Sequence, residues 1–177
     1  MLNILSKIRI FKVTEVNESM KIRVAKSEDA EVIFALIKEL AIYEKAEHEV
    51  LTSVAEIVDT LFGDNSKTSA LIAEEGSKVV GYAVYFYNYS TWLGKNGIYL
   101  EDLYVTPEHR KYGIGKALLK HIASIALEEG CGRVEWSVLD WNTPAIEFYE
   151  SLGARAQDEW TVYRLSGEKL LNFAALD

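Results

Sequence analysis

A short run that combines basic side chains with two glycines, EHRKYGIGKALL (108–119), has the residue types of an anion-binding turn. Gly113 and Gly115 free the backbone for a tight turn, and Arg110 and Lys111 supply positive charge just before them. An amphipathic pattern follows, which would place the turn at the N-terminus of a helix, where unpaired N–H groups attract anions. The run therefore predicts a site for a phosphate or pyrophosphate group.

Two common phosphate-binding motifs do not fit this run. A P-loop needs a glycine where Arg110 stands and a hydroxyl side chain where Ala117 stands. A dinucleotide-binding fingerprint needs a glycine or alanine where Leu118 stands. What remains is Arg-x-x-Gly-x-Gly between a strand and a long helix, which can bind a pyrophosphate through backbone N–H groups without a metal ion. The alternative is a tight turn with incidental basic residues.

The elements that must position this turn follow from the hydrophobic pattern. It predicts strands at 21–25, 69–75, 78–90, 97–105, 133–139 and 160–165. It predicts four helices. The first is capped by Ser27 and has Ile33, Leu36, Ile37 and Leu40 on its apolar face, and the second covers 53–63 with a Ser53/Glu56 capping box. The third runs from Gly113 to about Gly130, and the fourth runs from Asn142 to Gly153. Short turns join the second, third and fourth strands, which are therefore expected to be antiparallel. The order predicts a mixed α/β domain around one sheet.

Composition limits the class of protein. A chain of 177 residues with a formal charge of −8 fits one globular domain and argues against a nucleic-acid partner. No apolar run approaches the roughly 18 residues of a membrane span, so no membrane partner and a cytoplasmic location are expected. The single cysteine, Cys131, excludes an internal disulfide. Residues 1–20 are interpreted as an extension ahead of an alternative start at Met20, although a weak targeting sequence or an extra strand stay open.

Several segments resemble the GNAT family of N-acetyltransferases. Arg110-Lys111-Tyr112-Gly113-Ile114-Gly115 is similar to the family's loop for the pyrophosphate of acetyl-CoA. YSTWLGKNGIYLEDLYVTPEHRKYGIGKALL, VLDWNTPAIEFYESLGA and IKELAIYEKAEHEV resemble segments of the diamine acetyltransferases, and the spellings YSTW and VLDWN favour the second, thialysine-preferring type. The resemblance covers 21–168, which is expected to be the acetyltransferase domain, and leaves 169–177 as a tail. It implies a mostly antiparallel sheet, flanked by helices, in which the strand at 97–105 splays from the next one, often at a bulge.

The resemblance implies acetyl-CoA as the acetyl donor and no metal ion. The splayed strand is expected to offer main-chain groups at Leu103, Tyr104 and Val105, and an N–H near Leu103 would stabilise the developing oxyanion. The remaining residues assigned to the cofactor are those of the loop and of the contact with the pantetheine arm: Arg110, Lys111, Tyr112, Gly113, Ile114, Gly115, Lys116, Asn142, Pro144 and Ala145.

Acetyl transfer to an amine requires a neutral nucleophile and a proton for the departing thiolate. An alkylamine has a pKa near ~10.4, so about one molecule in a thousand or fewer is neutral at pH 7. A base must therefore remove a proton, directly or through water. The resemblance assigns Glu101 as this base and Tyr149 as the acid that protonates sulfur. Strand alternation predicts that Asp102 points to the opposite side of the sheet from Glu101.

The resemblance also implies where the amine binds. Tyr43 and Glu44 match the position where the first helix reaches the amine, and Glu101 is expected to face it. Glu159 and Trp160 are expected to line the same cleft from a partner subunit, since the family is usually dimeric. Carboxylates and aromatic rings attract an ammonium group. We expect a homodimer that acetylates a small diamine, polyamine or lysine-like amino acid, with thialysine favoured.

Two other functions stay open on the sequence. One is a protein or peptide N-acetyltransferase, and the other is an acyl-CoA-binding sensor without turnover. The histidines do not suggest a further chemistry, because His48, His109 and His121 lack metal-ligand spacing. His109 and His121 are expected at the surface.

Overall fold

The computed structural model describes residues 20–175, which form two compact units divided between Ser137 and Val138. The predicted extension therefore lies outside the described residues except for Met20, the first residue of a strand. The helices and strands are β1 (Met20–Val24), α1 (Ala30–Tyr43), α2 (Val54–Phe62), β2 (Thr68–Glu75), β3 (Lys78–Ser90), β4 (Lys95–Val105), α3 (Ile114–Glu128), β5 (Val134–Trp136), α4 (Thr143–Ser151) and α5 (Gly167–Ala174).

The first unit holds one five-stranded sheet in the order β1-β2-β3-β4-β5. Strands β2, β3 and β4 are antiparallel to one another, as predicted for strands joined by short turns, and β1 also pairs antiparallel with β2. The chain then crosses over through α3, and β5 pairs parallel to β4. This mixed, mostly antiparallel sheet flanked by helices confirms the predicted fold class.

A β-bulge interrupts β4 where the sequence places two carboxylates. Val84 of β3 pairs with Asp102, whereas the next residue, Tyr85, pairs with Leu100, so Glu101 is the extra residue. A bulge bends its strand and increases the local twist. The direction of the C-terminal half of β4 is therefore set at Glu101.

Helices α1 and α3 pack on opposite faces of the sheet. Ile33 and Leu36 of α1 are buried in a cluster that contains Tyr104, whereas the space beside Gly115 of α3 faces a methyl group of Val105. Because neighbouring residues of a strand point to opposite faces, the two helices must lie on different sides of β4. The predicted apolar face of α1 is confirmed, since its other two residues, Ile37 and Leu40, pack partly buried against the same cluster.

The helix caps agree with the prediction at α2 and differ at α1. Ser53 Oγ accepts a hydrogen bond of 3.3 Å from the N–H of Glu56, as expected of the cap of α2. Ser27, predicted to cap α1, instead begins a 3₁₀ turn, and Asp29 immediately precedes the helix. Asp29 accepts hydrogen bonds from the guanidinium of Arg23 and from the N–H of Lys26. The sequence favours Ser27 because it does not show that an arginine from β1 reaches Asp29.

The second unit differs most from the sequence analysis. Residues 160–165, predicted as a closing strand, form no strand, and Trp160, Val162 and Tyr163 are 68%, 82% and 92% exposed. A strand needs a neighbour for its backbone hydrogen bonds, and the second unit has only α4 and α5 among its described elements. The predicted strand at 133–139 is likewise shortened to β5. Helix α5 was not predicted.

None of the helices within residues 20–175 has both the length and the apolar composition needed to cross a membrane.

Candidate active site

The C-terminal half of β4 has an open edge. Strand β5 pairs with β4 only at Ile98, Tyr99 and Leu100, and no further pair on that side of β4 occurs in the described part of the chain. The stretch from Glu101 to Val105 therefore presents main-chain groups to an occupant that could extend the sheet. This stretch contains the three residues that the sequence analysis assigned to main-chain contacts with the cofactor.

The loop after β4 has the geometry of an anion-binding turn. Lys111 and Gly113 both have left-handed backbone conformations, with φ of 68° and 84°, and α3 follows at once. The first intrahelical bond of 2.9 Å runs from the N–H of Ala117 to the carbonyl of Gly113. The N–H groups of the three preceding residues consequently have no acceptor within the helix. The helix dipole adds partial positive charge at this position, which favours an anion.

Gly115 leaves room beside this turn. A Cβ atom at Gly115 would meet only Cγ2 of Val105, at 3.9 Å, which is an ordinary van der Waals contact. Packing within the protein therefore gives no reason for a glycine here. A side chain is missing where a bound molecule would approach the backbone of the turn, so these residues fit the pyrophosphate of a nucleotide cofactor.

Arg110 ties the loop to α1 and β4. Its Nε donates a hydrogen bond of 2.9 Å to the carbonyl of Val105, and its guanidinium carbon lies 4.9 Å from the ring centre of Tyr43 and 5.3 Å from that of Tyr104. The structure thus brings a predicted substrate residue and two predicted cofactor residues together. They line a cavity of about 600 Å³ whose other lining residues are Val32, Ala35, Leu36, Glu39, Ile42, Lys78, Val79, Thr106, Pro107 and Glu108.

Asp102 is the residue of the site that the sequence analysis left without a role. Its Oδ2 accepts a hydrogen bond of 3.0 Å from the hydroxyl of Tyr82, a fully buried side chain. Burial raises the pKa of Asp102, the hydrogen bond from Tyr82 opposes this, and the charge of Glu101 raises it further. Glu44, at the end of α1, also has a raised pKa because of burial and the charge of Asp102. Three carboxyl groups therefore interact electrostatically at the bulge.

The predicted separation of Glu101 from Asp102 rested on strand alternation, and the bulge removes that premise. Alternation holds only while each residue has one partner across the ladder, and Glu101 is the unpaired extra residue. Glu101 is exposed, whereas Asp102 is partly buried on the side of α1. The burial of Asp102 could have been inferred from the acidic pair within a largely apolar strand, because a buried charge needs a partner or a function.

Of the other predicted residues, Tyr112 lies in the loop, Ile114 and Lys116 lie in the first turn of α3, and the rest belong to the second unit. The carbonyl of Asn142 accepts hydrogen bonds of 3.0 Å from the N–H groups of Ala145 and Ile146, which starts α4 with Pro144 in its first turn. Tyr149 lies in α4 with its ring 5.3 Å from that of Phe148. Glu159 is exposed on the segment that precedes α5. Among residues 20–175, no group of three or more His, Cys, Asp or Glu side chains is arranged to hold a metal ion.

Known proteins match most of this chain. Residues 32–154 match a family model described as Acetyltransferase (GNAT) family. The thialysine N-epsilon-acetyltransferase of Sus scrofa is 42% identical over 167 residues, which cover 88% of this chain and 98% of that protein. The human spermidine/spermine N(1)-acetyltransferase-like protein 1 is 36% identical over 164 residues, which cover 87% of this chain and 24% of that longer protein.

The fold also matches solved structures. An integron cassette protein from the mobile metagenome of V. cholerae superposes with a TM-score of 0.77 at 27% identity, over 90% of this chain and 100% of that one.

Proposed function

Because the chain belongs to the acetyltransferase (GNAT) family and is an N-acetyltransferase, we propose that it moves an acetyl group from acetyl-CoA to a primary amine of a small diamine, polyamine or lysine-like amino acid, with thialysine favoured. The observation that carries this proposal is the open edge of β4, which begins at a bulge with two carboxylates and leads into the turn before α3. One end suits an amine and the other suits a pyrophosphate.

The donor side of the proposal rests on the loop and the strand. Acetyltransferases of this family use acetyl-CoA as co-substrate. The N–H groups at the start of α3 would bind its pyrophosphate, and the open space at Gly115 would admit it. The pantetheine arm would lie along Leu103, Tyr104 and Val105 as an added strand. From the resemblance, Asn142, Pro144 and Ala145 are also proposed to contact this arm.

The acceptor side rests on the carboxyl groups at the bulge. Burial and mutual repulsion raise the pKa values of Asp102 and Glu44, so an ammonium group beside them would relieve an unfavourable arrangement of charge. Tyr43, whose ring packs against the guanidinium of Arg110, is proposed to line the amine site beside Glu44. A primary amine suits such a site, and the names of the matched relatives support thialysine within that class.

The proposed reaction is direct transfer. The lone pair of the neutral amine nitrogen forms a bond with the thioester carbonyl carbon, and the π electrons of the carbonyl move to its oxygen. The C=O bond then re-forms as the C–S bond breaks and its electron pair leaves on sulfur. Glu101 takes the proton that the nitrogen loses, directly or through water, and the hydroxyl of Tyr149 gives a proton to the sulfur. A main-chain N–H near Leu103 stabilises the oxyanion between these steps. The products are the N-acetylated amine and free CoA.

We further propose a cytoplasmic homodimer. Apolar side chains of 160–165 are exposed in the second unit, and a second copy of the chain would provide a surface against which this segment packs. Glu159 and Trp160 would then line the partner's cleft. Light scattering of the purified protein tests the dimer, and a monomeric mass would exclude this arrangement.

Thiol release from acetyl-CoA against thialysine, lysine, ornithine, putrescine, spermidine and spermine tests the function. We expect the highest kcat/KM with thialysine or another lysine-like amino acid. Preference for spermidine would retain the acetyltransferase and move the substrate to the polyamines. Binding of acetyl-CoA without release of CoA for any amine would favour a sensor, and acetylation of peptide N-termini alone would favour a peptide N-acetyltransferase.

A further inference from the structure

His109 is enclosed between the loop and the β2–β3 hairpin and is not the surface residue that the sequence predicted. Its side chain is 17% exposed. Its Nδ1 lies 2.7 Å from Oγ1 of Thr106, a buried residue, and its Nε2 lies 3.5 Å from Oε2 of Glu75 at the end of β2. The ring therefore bridges the exit of β4 and the neighbouring hairpin.

The chemistry of these partners orients the ring. A carboxylate only accepts hydrogen bonds, so Nε2 must carry a hydrogen to interact favourably with Glu75. In the neutral imidazole this leaves Nδ1 as an acceptor, and the hydroxyl of Thr106 is its donor. The main chain closes the same turn, because the N–H of His109 donates a bond of 2.9 Å to the carbonyl of Thr106. Both backbone and side chains thus fix residues 106–109.

This turn leads directly into the residues that set the anion site. Arg110 is the next residue and is itself held by the carbonyl of Val105. Lys111 and Gly113 follow with left-handed conformations. Glycine adopts this conformation readily, whereas Lys111 adopts it only when its surroundings hold it there. The directions of the N–H groups at the start of α3 therefore depend on the position from which the chain enters the loop.

We propose that Thr106, His109 and Glu75 form a clamp that positions the loop for the pyrophosphate of the acyl donor, with His109 as a positioning residue that does not touch the reacting atoms. This inference rests on the proposed use of acetyl-CoA. It assigns a role to a histidine that neither the base nor the acid of the proposed reaction requires. Loss of the clamp should weaken recognition of the pyrophosphate and leave the acetyl-transfer step intact.

Two donors separate this role from a general structural one. Acetyl-CoA has the pyrophosphate, and S-acetylpantetheine has the same thioester and arm without it. We expect Thr106→Val and His109→Phe to raise the KM for acetyl-CoA about tenfold, the effect typical of one lost buried hydrogen bond, with kcat and the KM for the amine within about twofold. The kcat/KM for S-acetylpantetheine should not change. Thr106→Ser, which keeps the hydroxyl, should behave as the unaltered protein.

Matched variants control for the substitutions. Thr60→Val removes an exposed threonine hydroxyl from α2, and His121→Phe replaces a histidine in α3, outside the turn. Both should leave the KM for acetyl-CoA unchanged. Equal losses with the two donors in Thr106→Val and His109→Phe, or no change in KM, would overturn the clamp. Calorimetric titration with CoA measures the cofactor affinity of the same variants even if the unaltered protein transfers no acetyl group. Failure of the clamp and failure of the proposed function are therefore distinguishable.

Discussion

The hydroxyl of Tyr82 donates a hydrogen bond of 3.0 Å to Oδ2 of Asp102, which joins a fully buried ring to a carboxyl group beside the β4 bulge. The same environment raises the pKa of both groups, mainly through burial. This bond holds Asp102 in a position where burial disfavours its charged form, which lowers the stability of the protein. A residue with only a structural role would not require a carboxyl group here. Costs of this kind are typical of functional sites.

Asp102→Asn should stabilise the protein at neutral pH. The pKa of Asp102 is raised above its unfolded value of about 3.9, so between the two values the folded protein binds more protons and its free energy of unfolding falls as pH rises. Each unit of raised pKa corresponds to about 1.4 kcal/mol. Asparagine keeps an acceptor for Tyr82 without the charge. Denaturant unfolding between pH 4 and pH 8 should show a gain at pH 7 that shrinks as the pH falls towards 4.

The exposed neighbour provides the control for this substitution. Glu101→Gln should change the free energy of unfolding less than Asp102→Asn at pH 7 and above. A stability gain that is the same at pH 4 and pH 8 would show that the charge of Asp102 is not its cause.

Gly115→Ala should separate cofactor binding from folding. The Cβ meets only Val105 at 3.9 Å, and alanine is more favourable than glycine in a helix by roughly 0.5–1 kcal/mol, so stability should hold or rise. The added methyl group would obstruct a pyrophosphate, and we expect the Kd for CoA to increase at least about tenfold, or about 1.4 kcal/mol. Calorimetric titration and thermal unfolding measure the two effects.

Gly113→Ala is the informative contrast. Its φ of 84° is costly for any side chain, so alanine there should lower the free energy of unfolding by about 1 kcal/mol. If Gly115→Ala destabilised the protein as much as Gly113→Ala, its glycine would be needed by the fold and not by the cofactor.

Tyr149→Phe should lower kcat by about 100-fold or more and leave the Kd for acetyl-CoA nearly unchanged, because the hydroxyl acts on the departing sulfur and not on binding. Tyr89→Phe, on the exposed end of β3, removes a phenol from the surface and should change neither quantity. Steady-state kinetics measure kcat, and a parallel calorimetric titration measures the Kd for acetyl-CoA. A matching loss in cofactor affinity would assign Tyr149 to packing.

Arg110→Lys should weaken the loop although it keeps the charge. Lysine has no Nε–H at the position that bonds to the carbonyl of Val105, and it does not reproduce a planar contact with two rings. A loss of about 1–2 kcal/mol in the free energy of unfolding is expected from these contacts. Lys111→Arg, one residue later, should leave stability unchanged. Full stability of Arg110→Lys would mean that Arg110 acts by charge alone.

The sequence predicted the elements whose signals are local. The Ser53 cap, the hairpin turn at Gly76 and the turn before α3 each depend on a few consecutive residues, and the structure has all three. The prediction of a pyrophosphate loop has the same basis, because its basic residues and its glycines follow one another directly in the chain. The resemblance to a known family supplied the roles of Glu101 and Tyr149, which no local pattern gives.

Features that depend on distant partners were missed or placed wrongly. The resemblance implied a bulge in this strand, but its position at Glu101 is set by the register between β3 and β4, and the burial of Asp102 depends on Tyr82 from another strand. His109 is enclosed because Glu75 comes from the far end of β2. Residues 160–165 have the composition of a strand, but composition does not supply the neighbour that a strand needs.

The open edge of β4 has a consequence for solubility. Unpaired main-chain groups along a strand are a template for addition of a strand from another molecule, and natural proteins often guard such edges with charged side chains. Glu101, the exposed extra residue of the bulge, places a carboxyl group at the start of this edge. The residue proposed as the base would therefore also guard the edge against addition of a strand from another molecule, and we expect Glu101→Gln to favour self-association whenever no cofactor covers the edge.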